Sequence, residues 1–305
     1  MTLRGTGNTE LSEDSLTIQG EDGAPRTHGG TRPLAWAGRR WRQFGTGLCF
    51  VLYGLAGWLG GITVLPLLLL WPGSAAAREY RIRKLASLSF RWLLALIALL
   101  RVGTVRVEGR QWLAQARGKL LVANHPMYLD VVALVGLLPQ ADCVIKGAMH
   151  RNRLYRRFVR TLGYISNDGG ARLVDDGVAS LRRGRTLILF PEGTRSTPGR
   201  PLDFCRGAAQ VAVRSGCDIL PVVITCEPLA LGKNQAWHQV PDRPWRLTLR
   251  ICPPRKLADF DWHEGMPHGV AARHVTRAMQ TFFAGQLAAA GKDTADAALG
   301  NEQMA

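Results

Sequence analysis

The chain has 305 residues, of which 47% are hydrophobic and 20% are charged, and this composition excludes a protein that is disordered throughout. Its net charge of +16 favours an anionic partner, such as a nucleic acid, an anionic membrane surface or a phosphorylated substrate. The six cysteines are scattered without a CxxC pair, so we expect no metal site and predict that the cysteines are reduced.

The N-terminal part is predicted to be a tail followed by membrane-associated helices. Residues 1–43 lack apolar periodicity and become basic near Arg42, which predicts a disordered basic tail. Residues 44–71 contain no charged residue, and as a helix they would reach roughly 40 Å, enough to cross a hydrocarbon core of about 30 Å. The Gly60–Gly61 pair and Pro66 are expected to divide this stretch into two helices.

A second apolar run covers residues 85–100 and is interrupted by Arg91. It fits an interfacial or hairpin helix better than an independent span, and we assign residues 44–100 to the membrane-associated helices. Basic residues flank the first apolar stretch on both sides, so the positive-inside rule gives no orientation. A segment that enters one leaflet and returns is our hypothesis.

From residue 101 onwards, strand-like and helix-like runs alternate, which predicts an α/β domain over residues 101–290 and a flexible tail over 291–305. The predicted strands are residues 102–109, 119–124, 142–149, 164–167, 185–190, 218–226 and 245–252. The predicted helices are residues 128–139, 151–163, 171–184, 206–216 and 268–290. The arginine-rich helix 151–163 has either a solvated basic face or a surface for anionic lipid or an acidic acyl donor.

His125 and Asp130 stand in the sequence NHPMYLD, directly after the predicted strand 119–124. The carboxyl end of a strand is a position that α/β folds use for functional sites. A carboxylate bonded to one imidazole nitrogen fixes the tautomer and leaves the other nitrogen free to take a proton. The alternative is a structural histidine near a turn, since two such residues at this spacing also occur by chance.

The second notable segment is FPEGTRS, residues 190–196, which follows the apolar strand 185–190. Gly193 permits a tight turn, Thr194 supplies a hydroxyl, and the Arg195 guanidinium group has the fork geometry that suits a phosphate. The alternative for this segment alone is a surface turn with a solvated arginine.

Together, NHPMYLD, FPEGTRS and the strand ILPVVI (residues 219–224) resemble the glycerolipid acyltransferase family, which contains bacterial 1-acylglycerol-3-phosphate acyltransferases. The resemblance covers roughly residues 85–255 and implies a mixed sheet flanked by helices. It also implies a membrane-bound enzyme that moves a fatty acyl chain from acyl-CoA or acyl-acyl carrier protein to a lysophospholipid hydroxyl without a cofactor. We expect this enzyme at the bacterial inner membrane, with its active site facing the cytoplasm.

The resemblance also implies roles for individual residues. His125 looks like the general base, and Asp130 looks like the carboxylate that orients it. Asn124 and nearby backbone amides are candidates for stabilising the oxyanion. The residues implied to hold the acceptor head group are Glu192, Gly193, Thr194 and Arg195.

One segment departs from the family pattern. Many members end a strand with a basic residue after Gly-x-Ile-x-x, whereas this chain reads GYISNDGGAR over residues 163–172, with Asn167, Asp168 and Gly169 at that place. The acceptor could therefore instead be a lyso-ornithine lipid, a glycolipid or a polyene lipid.

The sequence disfavours other classes of function. It contains no G-x-S-x-G element of a serine hydrolase, no phosphate loop and no nucleic-acid-binding motif, so we expect membrane lipid as the anionic partner. A non-catalytic membrane scaffold stays as the alternative of another class.

Overall fold

The computed structural model describes residues 32–151, 159 and 161–302. The predicted tail up to residue 31, most of the predicted arginine-rich helix 151–163 and residues 303–305 lie outside the described residues. Three helices precede the sheet: α1 (Arg32–Ile62), α2 (Val64–Leu70) and α3 (Ala75–Leu99). The predicted division of the first apolar stretch is confirmed, because α1 ends directly after Gly61.

The expected disordered tail does not hold for residues 32–43, which form the first turns of α1. Tertiary contacts explain this difference. The Arg42 guanidinium group donates hydrogen bonds to the carbonyl oxygens of Pro241 (3.1 Å) and Asp242, and the Trp41 indole donates one to the Leu100 carbonyl (2.8 Å). The basic residues that suggested a tail therefore attach α1 to the rest of the protein.

The N-terminal helices expose large apolar side chains. By length and composition, Trp36–Leu70 is the one stretch of the described residues that is apolar enough to cross a membrane, with a mean hydropathy of 1.9. Only 11% of its most apolar window is buried, so it is not packed as a core helix. The exposed set on α1 and α2 includes Trp36, Phe44, Leu55, Trp58, Ile62, Leu67 and Leu70.

A seven-stranded mixed sheet forms the centre of the described residues. Its strands are β1 (Gly103–Glu108), β2 (Leu120–Ala123), β3 (Asp142–Ile145), β4 (Ile165–Ser166), β5 (Leu187–Leu189), β6 (Ile219–Glu227) and β7 (Trp245–Ile251). The order is β1-β7-β6-β2-β5-β3-β4, and all neighbours are parallel except β6 and β7. The predicted α/β class with a mixed, helix-flanked sheet is confirmed.

Helices cover both faces of the sheet. They are α4 (Asp130–Leu137), α5 (Gly147–Arg151), α6 (Ala171–Arg182), α7 (Gly207–Ser215) and α8 (His268–Glu302). Successive β2 residues alternate between two cores: Leu121 packs with apolar residues of α1, α3 and α4, and Leu120 packs with those of α6, α7 and α8. The residues at the end of β2 therefore emerge between the two helical layers.

Two further predicted boundaries differ from the structure by more than two residues. Only Asp142–Ile145 of the predicted strand 142–149 is extended, because α5 begins at Gly147. The C-terminal helix continues to Glu302, beyond the predicted end at residue 290, so residues 291–302 of the predicted flexible tail are helical.

A buried charge network fixes α3 against the sheet. Arg83 of α3, only 2% exposed, donates to the Asp142 carboxylate (2.5 Å) at the start of β3. Asp142 also accepts hydrogen bonds from Ser180 (2.5 Å) and Arg185 (3.3 Å), and Arg185 pairs with Glu79. The apolar N-terminal helices are thereby tied to the domain that carries His125.

Candidate active site

The two predicted motifs meet at one edge of the sheet. β2 and β5 are parallel neighbours, with Val122 opposite Leu189, so the segments that follow them leave the sheet side by side. His125 and Asp130 follow β2, and Phe190 to Ser196 follow β5. Sites in α/β folds form at such carboxyl ends.

His125 and Asp130 form a hydrogen-bonded pair. The distance from Nδ1 of His125 to Oδ2 of Asp130 is 2.8 Å, and the Met127 N–H donates to the same oxygen at 2.9 Å. Asp130 is the first residue of α4 and is fully buried, whereas the His125 side chain is 16% exposed. The imidazole also packs against the Phe190 ring at a centroid distance of 4.4 Å. With Nδ1 directed at the carboxylate, Nε2 is the nitrogen that can accept a proton.

Burial raises the pKa of Asp130 to about 6, although hydrogen bonds from His125 and from the Met127 N–H act in the opposite direction. Its second oxygen, Oδ1, is buried without a hydrogen-bond partner among the described residues. At neutral pH the carboxyl is therefore ionised in surroundings that solvate it poorly. A buried ionisable group with a perturbed pKa and an unsatisfied oxygen atom is typical of functional sites.

The FPEGTRS segment braces the backbone of His125. Oε1 of Glu192 accepts hydrogen bonds from the His125 N–H (3.0 Å) and from the Ser196 hydroxyl (2.7 Å). The Ser196 N–H donates to the His125 carbonyl at 2.7 Å. Glu192 thus fixes the turn that presents the imidazole. Sequence reasoning gave Ser196 no role, although it stands inside the segment that drew attention.

Arg195 contacts the connection between β6 and β7, residues 228–244, which we call the β6–β7 loop. Its Nη1 donates to the carbonyl oxygens of Leu231 (2.9 Å) and Gly232 (2.8 Å). The Tyr128 N–H, from the first motif, also donates to the Leu231 carbonyl (3.2 Å). The guanidinium group predicted to bind a head group therefore also holds this loop over the site.

The remaining predicted residues have different surroundings. Gly193 adopts a positive φ of 63°, as its predicted turn requires, and Thr194 is half-buried. Asn124 is buried, and its side-chain amide pairs with both the N–H and the carbonyl of Ile224 in β6, at 2.8 Å each. Asn124 thus extends the β2–β6 pairing, and its oxyanion role stays a prediction that these contacts do not support.

An apolar crevice lies beside the pair. It is formed between α1, α3 and the β6–β7 loop, and it reaches Leu129, the neighbour of Asp130. The side chains that line it include Cys49, Leu93, Ile97, Leu129, Leu231 and Trp237. The arrangement therefore places a candidate base, His125, near an apolar surface.

The described residues contain no cluster of His, Cys, Asp or Glu side chains arranged for a metal ion.

A family model for acyltransferases matches residues 104–225, which include both motifs. The match identifies residues 104–225 as an acyltransferase domain. A 1-acyl-sn-glycerol-3-phosphate acyltransferase of Cocos nucifera is 27% identical over 182 residues, which cover 56% of this chain and 55% of the relative. A lyso-ornithine lipid O-acyltransferase of Pseudomonas aeruginosa is 31% identical over 140 residues, 44% of this chain and 52% of the relative.

The chain spans about half the length of these curated relatives. The crystal structure of the 1-acyl-sn-glycerophosphate acyltransferase PlsC of Thermotoga maritima is similar to the structure of this chain, with a TM-score of 0.58 and 24% identity. The match covers 80% of this chain and 97% of that chain. At this identity the likeness establishes the fold, and the activity has to be argued from the site.

Proposed function

We propose that this protein transfers a fatty acyl chain from acyl-CoA or acyl-acyl carrier protein to the hydroxyl of a lysophospholipid such as 1-acylglycerol-3-phosphate. The 2.8 Å pairing of His125 Nδ1 with buried Asp130, in which Nε2 takes no part and the imidazole stays partly exposed, is the observation that carries this proposal. The proposed reaction needs no cofactor, since the acceptor hydroxyl is itself the nucleophile.

In the proposed reaction, Nε2 of His125 removes the proton of the acceptor hydroxyl as its oxygen attacks the thioester carbonyl carbon. Asp130 stabilises the imidazolium ion that results. The tetrahedral intermediate then expels the thiolate, which takes the proton back from the imidazolium. The products are an ester and a free thiol, so that atoms and charge balance.

We further propose that the exposed apolar residues of α1 and α2 enter the membrane and that the active site faces the cytoplasm at a bacterial inner membrane. Trp58 and Leu55 are 59% and 52% exposed, and burying such side chains in lipid is favourable by about 1.5–3 kcal/mol each. A lysolipid acceptor in the same leaflet would then reach His125 without leaving the membrane.

A second acceptor follows from one comparison. The relative from Pseudomonas aeruginosa acts, by its name, on a lyso-ornithine lipid, and it is 31% identical to this chain over 140 residues. The glycolipid and polyene-lipid acceptors suggested by the departure at residues 167–169 stay further alternatives.

The test supplies membranes containing the protein with labelled acyl-CoA or acyl-acyl carrier protein and a panel of lysolipids. We expect transfer to 1-acylglycerol-3-phosphate, and a loss of roughly 10²–10⁴-fold in His125→Ala. His274→Ala is the matched control, because the exposed His274 forms the same kind of pair with Asp261 (2.7 Å). Undiminished transfer by His125→Ala contradicts the base assignment. Transfer to no acceptor by the wild type supports the membrane scaffold instead.

A further inference from the structure

Lys233 of the β6–β7 loop lies next to the FPEGTRS segment. Its Nζ donates to Oγ1 of Thr197 at 3.1 Å, and the side chain is half-buried. Hydrogen bonds hold this loop in place. The Leu231 carbonyl oxygen accepts hydrogen bonds from the Arg195 side chain and the Tyr128 N–H, and the Gly232 N–H donates to the Gln235 side chain at 2.8 Å. The ammonium group is therefore fixed beside the segment that braces His125.

The charge of Lys233 has no counter-ion in the described part of the chain. Its bonded partner is a neutral hydroxyl, and none of the ion pairs formed by the described residues includes it. Lys119, by contrast, pairs with the Asp218 carboxylate at 2.7 Å. A cation that is partly removed from water without an anion is unfavourable, so an anionic ligand at this position would stabilise it.

The nearby polar groups leave room for such a ligand. One ammonium N–H is used on Thr197, and two remain; the Thr197 hydroxyl accepts from Lys233 and can donate its own proton. Arg195, another cation of this region, directs Nη1 at two backbone carbonyls.

We propose that Lys233, together with the Thr197 hydroxyl, binds the anionic head group of the acceptor lipid and selects a phosphate monoester. This inference rests on the proposed function, because it assigns the acceptor side of the same site. Lysine binds phosphate as a point charge, and Thr197 adds a directed hydrogen bond. Arg195 then acts as the positioning residue that holds the loop carrying Lys233.

The test compares acceptors in the full-length protein. For Lys233→Gln we expect the KM for 1-acylglycerol-3-phosphate to rise roughly 10- to 100-fold, the loss typical of one charged hydrogen bond, with kcat and the donor KM nearly unchanged. Transfer to 1-monoacylglycerol, which lacks the phosphate, should be equal in wild type and variant. Lys233→Arg should restore most of the affinity. Lys256→Gln, which removes an exposed lysine elsewhere, should behave as wild type.

Two outcomes overturn the assignment: an unchanged KM for the phosphate acceptor, or equal losses with both acceptors, which would indicate a structural role. If Lys233→Gln does not fold, Lys233→Met replaces it as the neutral variant. Equilibrium binding of 1-acylglycerol-3-phosphate without donor separates the two proposals. A wild type that transfers to no acceptor refutes the proposed function, whereas binding that is unaffected by loss of the Lys233 charge refutes this inference.

Discussion

Replacing Asp130 by asparagine removes a carboxylate that is fully buried and has one oxygen without a partner among the described residues. Burial raises its pKa from an ordinary value of 3.8 to about 6. Because one pKa unit corresponds to about 1.4 kcal/mol, ionised Asp130 costs the folded state on the order of 3 kcal/mol at pH 8. Asp130→Asn relieves this cost, so its free energy of unfolding at pH 8 should equal or exceed that of the wild type.

The pH dependence has a definite sign. The folded-state pKa of Asp130 lies above the unfolded value, so the cost is fully present above pH 6 and declines as the pH falls towards 4. From pH 8 to pH 4 the wild type should therefore gain about 2 kcal/mol relative to Asp130→Asn. The matched variant is Asp142→Asn, because Asp142 is equally buried but pairs with Arg83 at 2.5 Å. Asp142→Asn removes one charged partner of the buried Arg83 guanidinium group, which keeps Glu79 at 2.9 Å, so it should cost roughly 1.5–3 kcal/mol.

Chemical denaturation in detergent at pH 8 and at lower pH measures these differences, and acyl transfer is measured on the same samples. Asp130→Asn should lose roughly 10²–10⁴-fold in transfer while its stability is kept, because asparagine can donate to Nδ1 and so stabilise the wrong tautomer. If Asp130→Asn is destabilised as strongly as Asp142→Asn at pH 8, the account of Asp130 as a strained, functional carboxylate is wrong.

Three other outcomes can be checked. The kcat/KM for transfer should fall as the pH drops through about 6, because Asp130 then takes a proton and no longer orients the imidazole; a flat profile between pH 5 and 8 contradicts this. Arg195→Lys cannot keep both carbonyl contacts in the same geometry, so limited proteolysis should cut the β6–β7 loop faster than in wild type, and equal rates would argue against the clamp. Trp58→Glu should weaken sedimentation with lipid vesicles roughly 10- to 100-fold, and unchanged binding would place the membrane contact elsewhere.

The sequence by itself determined the α/β class, most strands and the His125–Asp130 pair. Strands and helices follow from apolar periodicity, which is a property of neighbouring residues. The pair is also local: a strand ends, Pro126 follows His125, and Asp130 begins the next helix, so five positions of separation suffice to bring carboxylate and imidazole to 2.8 Å.

Tertiary structure alone decided that Glu192 braces the His125 backbone, that Arg195 holds the β6–β7 loop and that Lys233 reaches Thr197. It also decided that α1 includes residues 32–43, through the contacts of Arg42 with Pro241 and Asp242. Most of these interactions join a side chain to a backbone N–H or carbonyl that is 36 or more residues away. Every residue has a backbone carbonyl, and every residue except proline has a backbone N–H. The residue type therefore does not reveal which backbone group a distant side chain will bind, and only the folded structure identifies it.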